Sequence, residues 1–193
     1  MKLDIILAGV GGQGILSIAT IIGEAALKSG YYLKQAEVHG MSQRGGDVQS
    51  HLRISDKPIY SDLIAMGKCD MILSVEPMES LRYLPFLSQE GWLVTNNKPF
   101  INISNYPETE TVISAVKSIK NNICINADEM AKELGAARSM NMVMLGAAAE
   151  FMNIKIEDIE TAIQEVFERK GEAVVEMNLK AFRAGLEFSR SNR

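Results

Sequence analysis

The stretch Leu3-Asp4-Ile5-Ile6-Leu7-Ala8-Gly9-Val10-Gly11-Gly12-Gln13-Gly14-Ile15 decides the fold. Leu3–Ala8 is an apolar run broken only by Asp4, as expected of a parallel strand covered on both faces. It ends in a glycine-rich turn. Ile15, Leu16, Ile18, Ala19, Ile21, Ile22, Ala25 and Ala26 then recur at helical spacing, with Gly30 as the stop. Tyr31–Val38 reads as a second strand. A strand, a glycine turn, a helix and a strand make a βαβ opening, which predicts a Rossmann-like α/β fold. The sheet should be mostly parallel, with helices on both faces.

Beyond this unit, Val48, Leu52 and Ile54 predict a half-buried strand. Ser55-Asp56-Lys57-Pro58 reads as a turn and Ile59–Tyr60 as a return strand, so a β-hairpin is expected as an insertion. Met71–Val75 is a further apolar strand, ending at Glu76-Pro77 and leading into a short helix through Leu84. Trp92–Thr95 is the next strand, and residues 96–107, with Pro99 and Pro107, form a long loop. Glu108–Ile119 reads as a helix and Ile123–Ile125 as a strand. From Asp128 onward the pattern is helical, with Gly171 separating the last two helices. No repeat, low-complexity run or linker divides the chain, so one domain is expected over residues 1–193.

The 193 residues are 47% hydrophobic and 23% charged, an ordinary globular composition. A net charge of -4 and a pI near 5.3 argue against a nucleic-acid partner. No apolar run approaches the roughly 18 residues that a membrane span needs. A secretory signal is not expected, because Asp4 interrupts the first apolar run and no small-residue cleavage site closes it. A cytoplasmic location follows as the expectation. Cys69 and Cys124 are the only cysteines; each lies in an apolar run and reads as a small buried side chain. A [4Fe–4S] cluster takes four thiolates, more than this chain holds.

The spacing Gly9-x-Gly11-x-x-Gly14 between a strand and a helix suits an anion. Glycine lets a ligand approach closely, and the helix N-terminus offers free N–H groups. Gly9, Gly11, Gly12, Gln13 and Gly14 are therefore candidate cofactor contacts. Nicotinamide dinucleotides also need a carboxylate about 20 residues further on. Lys34 stands there, and Glu37 falls late, so the turn fits phosphate better than NAD. Beyond the second strand, Glu37-Val38-His39-Gly40-Met41-Ser42-Gln43-Arg44-Gly45-Gly46 packs an acid, an imidazole, a hydroxyl, an amide and a guanidinium into one loop. Ligands collect at this end of open α/β sheets, and Arg44 has the fork to grip a phosphate or carboxylate. His39 and His51 show no metal-ligand spacing. No G-x-S-x-G elbow is present. Met140, Met142, Met144 and Met152 read as core fillers, with a partner-facing surface as the alternative. Ser139 and Asn141 could cap the helix that follows Arg138.

Together, GVGGQGI at Gly9–Ile15 and AEVHGMSQRGG at Ala36–Gly46 resemble the gamma-type subunit of 2-oxoacid:ferredoxin oxidoreductases. The segments SHLRISDKPIYSDLI, CDMILSVEPMESLRYLPFL and NMVMLGAAAEF extend the resemblance over nearly the whole chain. The EVHG form is most similar to the small subunit of the indolepyruvate-type enzyme. The resemblance implies an oxidoreductase subunit, inactive alone. It also implies a larger partner subunit that carries thiamine diphosphate and [4Fe–4S] clusters. Such a complex converts a 2-oxoacid and coenzyme A to an acyl-CoA and reduces ferredoxin. It implies contact with coenzyme A here, with Gly11–Gly14 and Arg44 as phosphate contacts. Glu37, His39, Gly40, Met41, Ser42, Gln43, Gly45 and Gly46 would form a lid or subunit interface. It implies no catalytic residue and no metal ligand on this chain. The other readings are a stand-alone Rossmann-type nucleotide-binding oxidoreductase and a non-catalytic nucleotide-sensing module.

Overall fold

The computed structural model describes residues 1–40 and 45–192, with only the backbone of His39. The apolar run at the start is strand β1, Lys2–Val10, buried on both faces from Leu3 onward. The glycine turn delivers the chain into helix α1, Ile15–Lys28, which Gly30 closes in a left-handed conformation. Strands β2, Tyr32–His39, and β3, Asp47–Ser55, follow. After them come β4, Cys69–Ser74, and helix α2, Pro77–Arg82. A 3₁₀ turn at Leu84–Phe86 then leads into β5, Leu87–Asn96. Helix α3, Thr109–Lys117, precedes β6, Asn122–Ile125. The remainder is helical: α4, Ala127–Glu133; α5, Met140–Ala149; α6, Ile156–Phe167; and α7, Glu172–Ser191.

The sheet runs β2-β3-β1-β4-β5-β6. β1, β4, β5 and β6 are mutually parallel, whereas β3 lies antiparallel between β1 and β2. This corrects one expectation. The hairpin is β2–β3, with β3 inserted between the two strands of the βαβ unit, and Ile59–Tyr60 forms no return strand. The residues just after it are held by side chains: Arg53 donates to the carbonyls of Ser61 and Leu63, and Lys34 pairs with Asp62 at 2.8 Å. Asp4 finds its explanation in the same register. It stands directly opposite Arg53 and takes a two-pronged ion pair, at 2.8 and 3.1 Å, so its buried charge is matched.

Alternate residues of β1 serve opposite cores. Leu3, Ile5 and Leu7 join a large cluster with α1, α5, α6 and α7, whereas Ile6 and Ala8 join a smaller one beneath α2 and α3. Helix α5 is apolar all round and buried from Met142 to Ala149, as a central helix must be. Met142, Met144 and Met152 are core fillers, fully enclosed. α5 meets α7 backbone to backbone. A Cβ on Gly146 would lie 1.9 Å from the Phe182 carbonyl oxygen, and one on Gly185 would lie 1.9 Å from that of Val143.

Candidate functional site

β1 and β4 are parallel neighbours. Their following helices lie on opposite faces of the sheet: α1 packs in the large core and α2 in the smaller one. The carboxyl ends of β1 and β4 therefore flank the switch point where open α/β sheets take ligands. Gly9 lets those ends close together, since a Cβ there would meet Val75 Cγ2 at 2.4 Å. Gly14, in the left-handed region at φ 83°, starts α1 without a capping side chain. The N–H groups of Gly12 and Gly14 have no partner among the described residues, and a Cβ on Gly12 would meet nothing within 4 Å. The turn is thus open at Gly12 and α1 starts without a side-chain cap, an arrangement that suits an anion.

The other two turn residues are engaged internally. The Gly11 N–H donates to the Gly46 carbonyl at 2.8 Å, and the Gly45 N–H donates to the Gly11 carbonyl at 3.4 Å, so the loop after β2 is laced to the turn. Gln13 bridges two strand ends. Its Oε1 accepts from the Val10 N–H at 2.8 Å, and its Nε2 donates to the Val75 carbonyl at 3.5 Å. Asn96, at the end of β5, donates to the same carbonyl at 3.4 Å and accepts from the Ala127 N–H at 3.1 Å. Two side-chain amides, Gln13 half-buried and Asn96 buried, therefore stitch the ends of β1, β4 and β5 to the start of α4. From the far side Asn141 of α5 donates to the Gly14 carbonyl at 3.3 Å, a role more distant than helix capping.

In the loop after β2, Glu37 is exposed on the edge strand and His39 ends that strand, while Gly40 donates to the Asp47 carbonyl at 3.2 Å. Met41, Ser42, Gln43 and Arg44 lie outside the described residues. The insertion of β3 bears on the dinucleotide reading. Glu37 pairs with Ser50 and Ser50 with Leu7, so Glu37 stands two strand spacings, about 10 Å, from β1. A ribose held at the glycine turn is beyond its reach.

One group was not singled out from the sequence. Glu76, buried directly after β4, caps α2 by accepting from the Glu79 N–H at 2.8 Å. Its other oxygen accepts from the Phe100 N–H at 3.2 Å and from the Tyr106 hydroxyl at 2.5 Å. Burial, with the bond to Glu76 added, pushes the Tyr106 phenol up, so it stays a donor. The signal in the sequence was Glu-Pro at the end of an apolar strand, the signature of a cap with proline at the first helical position.

Among the described residues no group of three His, Cys, Asp or Glu side chains is placed to hold a metal ion. Cys69 begins β4 and Cys124 lies in β6, with β5 between them. Burial pushes the Cys69 thiol up to about 12 and raises that of Cys124. Two such separated thiols do not fit an iron–sulfur cluster, and no step is derived through one. No helix among the described residues is long and apolar enough to cross a membrane.

Sheet order and glycine turn define an α/β fold with one antiparallel strand let into a parallel sheet. The chain belongs to the pyruvate ferredoxin/flavodoxin oxidoreductase family, whose model matches residues 4–188. It is 35% identical to the indolepyruvate oxidoreductase subunit IorB of Archaeoglobus fulgidus, covering 100% of this chain and 98% of that one. It is 36% identical to IorB of Methanothermobacter thermautotrophicus, over 96% of each chain. The keto/oxoacid ferredoxin oxidoreductase gamma subunit of Geobacter sulfurreducens superposes with a TM-score of 0.70 at 27% identity, covering 98% of this chain and 99% of that one. A 2-oxoglutarate:ferredoxin oxidoreductase from Magnetococcus marinus, solved with 2-oxoglutarate, coenzyme A and succinyl-CoA bound, shares the fold. There the TM-score is 0.79 at 24% identity, and this chain spans all of itself but 32% of that longer chain.

Proposed function

We propose that this chain is the small subunit of a 2-oxoacid:ferredoxin oxidoreductase acting on an arylpyruvate such as indolepyruvate. The reaction joins a 2-oxoacid to coenzyme A: the carboxylate leaves as carbon dioxide, the acyl carbon exchanges its bond to that carbon for a thioester bond, the thiol proton is released, and two electrons pass to two oxidised ferredoxins. Thiamine diphosphate and [4Fe–4S] clusters belong to the larger subunit in this reading; the thiamine supplies the decarboxylation chemistry there. This chain packs beside that site.

The observation that carries the reading is the uncapped first turn of α1 at the switch point, open above Gly12. Its task is to hold a phosphate group of coenzyme A by the amides of Gly12 and Gly14 and those that open α1. Gly9 and Gln13 keep the strand ends close enough for that geometry. In this reading Arg44 supplies a cation for that phosphate, and Glu37–Gly46 serves as the lid or subunit interface. Identity to IorB along almost the full length supports the indolepyruvate branch over the 2-oxoglutarate and pyruvate branches.

Affinity purification of the tagged chain from its native host tests the reading. The expected product is a complex with a larger protein, brown, and containing iron, acid-labile sulfide and thiamine diphosphate. A lone chain that oxidises an arylpyruvate by itself would overturn it.

A further inference from the structure

The segment 97–107 runs from the end of β5 to Glu108, the N-cap of α3, without helix or strand. Loops of this length that lie in one place need a reason. Packing does not supply it: Phe100, Ile101 and Ile103 are 42%, 66% and 42% exposed, so the apolar side chains of the strap point outward. What holds it is polar. Asn97 donates to the Ile125 carbonyl at 2.8 Å where the strap begins. Phe100 and Tyr106, near its two ends, both donate to one oxygen of Glu76. Between them Asn102 donates its side-chain amide to the Gly45 carbonyl.

Glu76 has no cationic partner among the described ion pairs; the neighbouring Arg82 is taken by Glu79. A buried carboxylate without a counter-ion is costly unless hydrogen-bond donors surround it. Here three donors do so, two of them from the strap. The strap and the carboxylate therefore hold each other in place. The hydrogen bonds then continue to the glycine turn: Asn102 holds Gly45, and Gly45 and Gly46 are laced to Gly11.

We infer that Glu76 is a positioning residue, a buried latch that fixes strap 97–107 against the Gly45–Gly46 limb and so sets the shape of the mouth above the glycine turn. This rests on the reading of that mouth as the place where coenzyme A binds. Glu76 touches no substrate in this account; it acts through Phe100, Tyr106 and Asn102.

Two arms test it. In the isolated chain, hydrogen exchange is followed through residues 97–107 and 45–46 in wild type, Y106F and E76A. The latch predicts exchange about tenfold faster in both segments on loss of one such bond, with β5 unchanged. In the complex with its larger subunit, E76A, Y106F and N102A should raise KM for coenzyme A by more than they lower kcat. E76A combined with N102A should be no worse than the more severe single change, since both cut one chain of bonds. A merely structural role would lower the amount of active complex at constant KM. Unchanged exchange at 45–46 when the strap is released, or an unchanged KM for coenzyme A in all variants of an active complex, overturns the inference. Should E76A fail to fold, Y106F, which keeps the ring, decides. A wild-type complex without coenzyme A-dependent turnover would count against the proposed function instead, and the exchange arm would still judge the latch.

Discussion

Gly14→Ala perturbs the turn where it enters α1. Alanine in the left-handed region at φ 83° costs about 1 kcal/mol. Its Cβ would lie 2.6 Å from Asn141 Nδ2, so Asn141 must swing away and give up its bond to the Gly14 carbonyl, about 1 kcal/mol more. The combined destabilisation is therefore about 2 kcal/mol. The assay is urea unfolding followed by fluorescence of Trp92, the single tryptophan, which is stacked on Phe151 with ring centroids 4.0 Å apart. A second background separates the two contributions. In N141A the obstructing amide is gone, so the same glycine change should cost only the backbone share, about 1 kcal/mol. Equal costs in the two backgrounds would refute the coupling between α5 and the turn. A cost below about 0.5 kcal/mol in wild type would refute the strained geometry itself.

Three further outcomes are expected. G185A drives a Cβ into the Val143 carbonyl and should cost about 3 kcal/mol or more, read from the urea midpoint; a wild-type midpoint would contradict the close α5–α7 crossing. Burial, then the charge of Arg53, lowers the pKa of His51, with Asp4 opposing, and its Nδ1 accepts from the Ile64 N–H at 3.0 Å. The unfolded chain therefore binds this proton more readily, and stability should be lost as pH falls below about 6.5 toward the lower folded value. H51N, which can still accept that bond, should flatten this limb of the stability–pH curve, and an unaltered limb would refute the assignment. With its thiol pushed up to about 12, Cys69 should resist alkylation at pH 8 in the native chain and react once urea unfolds it. Labelling of native Cys69 at the rate of a free thiol would contradict its burial.

Much of the fold was legible because its determinants are local. The β1–turn–α1 unit, the apolar strands β4 and β5 and the helical last third each carry their own period, and the structure places them where the pattern does. Strand pairing is a different matter. The alternation in β3 announces a strand but not its neighbours, and its antiparallel insertion beside β1 is decided by contacts such as Asp4 with Arg53, 49 residues apart. Ile59–Tyr60 has the composition of a strand, yet no backbone ladder forms there, and Arg53 and Lys34 hold the next residues, 61–63, from the sheet. Gln13 and Glu76 show the same limit at the site. Gln13 could be seen as unusual for a dinucleotide turn, but its bracing of Val75 is a contact 62 residues away. Glu76 meets donors 24 and 30 residues downstream that no local pattern links to it. The resemblance to gamma-type subunits held along the chain because it rested on two long motifs together, not on the glycine spacing alone.

Under the proposed function, this chain works only as a part of an oxoacid oxidoreductase. The most direct measurement is reduction of ferredoxin, followed by absorbance, with indolepyruvate and coenzyme A supplied to the larger subunit alone, to this chain alone and to the two together. Reduction dependent on both substrates is expected only when the two are combined. Turnover by the larger subunit alone at the rate of the complex, or by this chain alone, would contradict it.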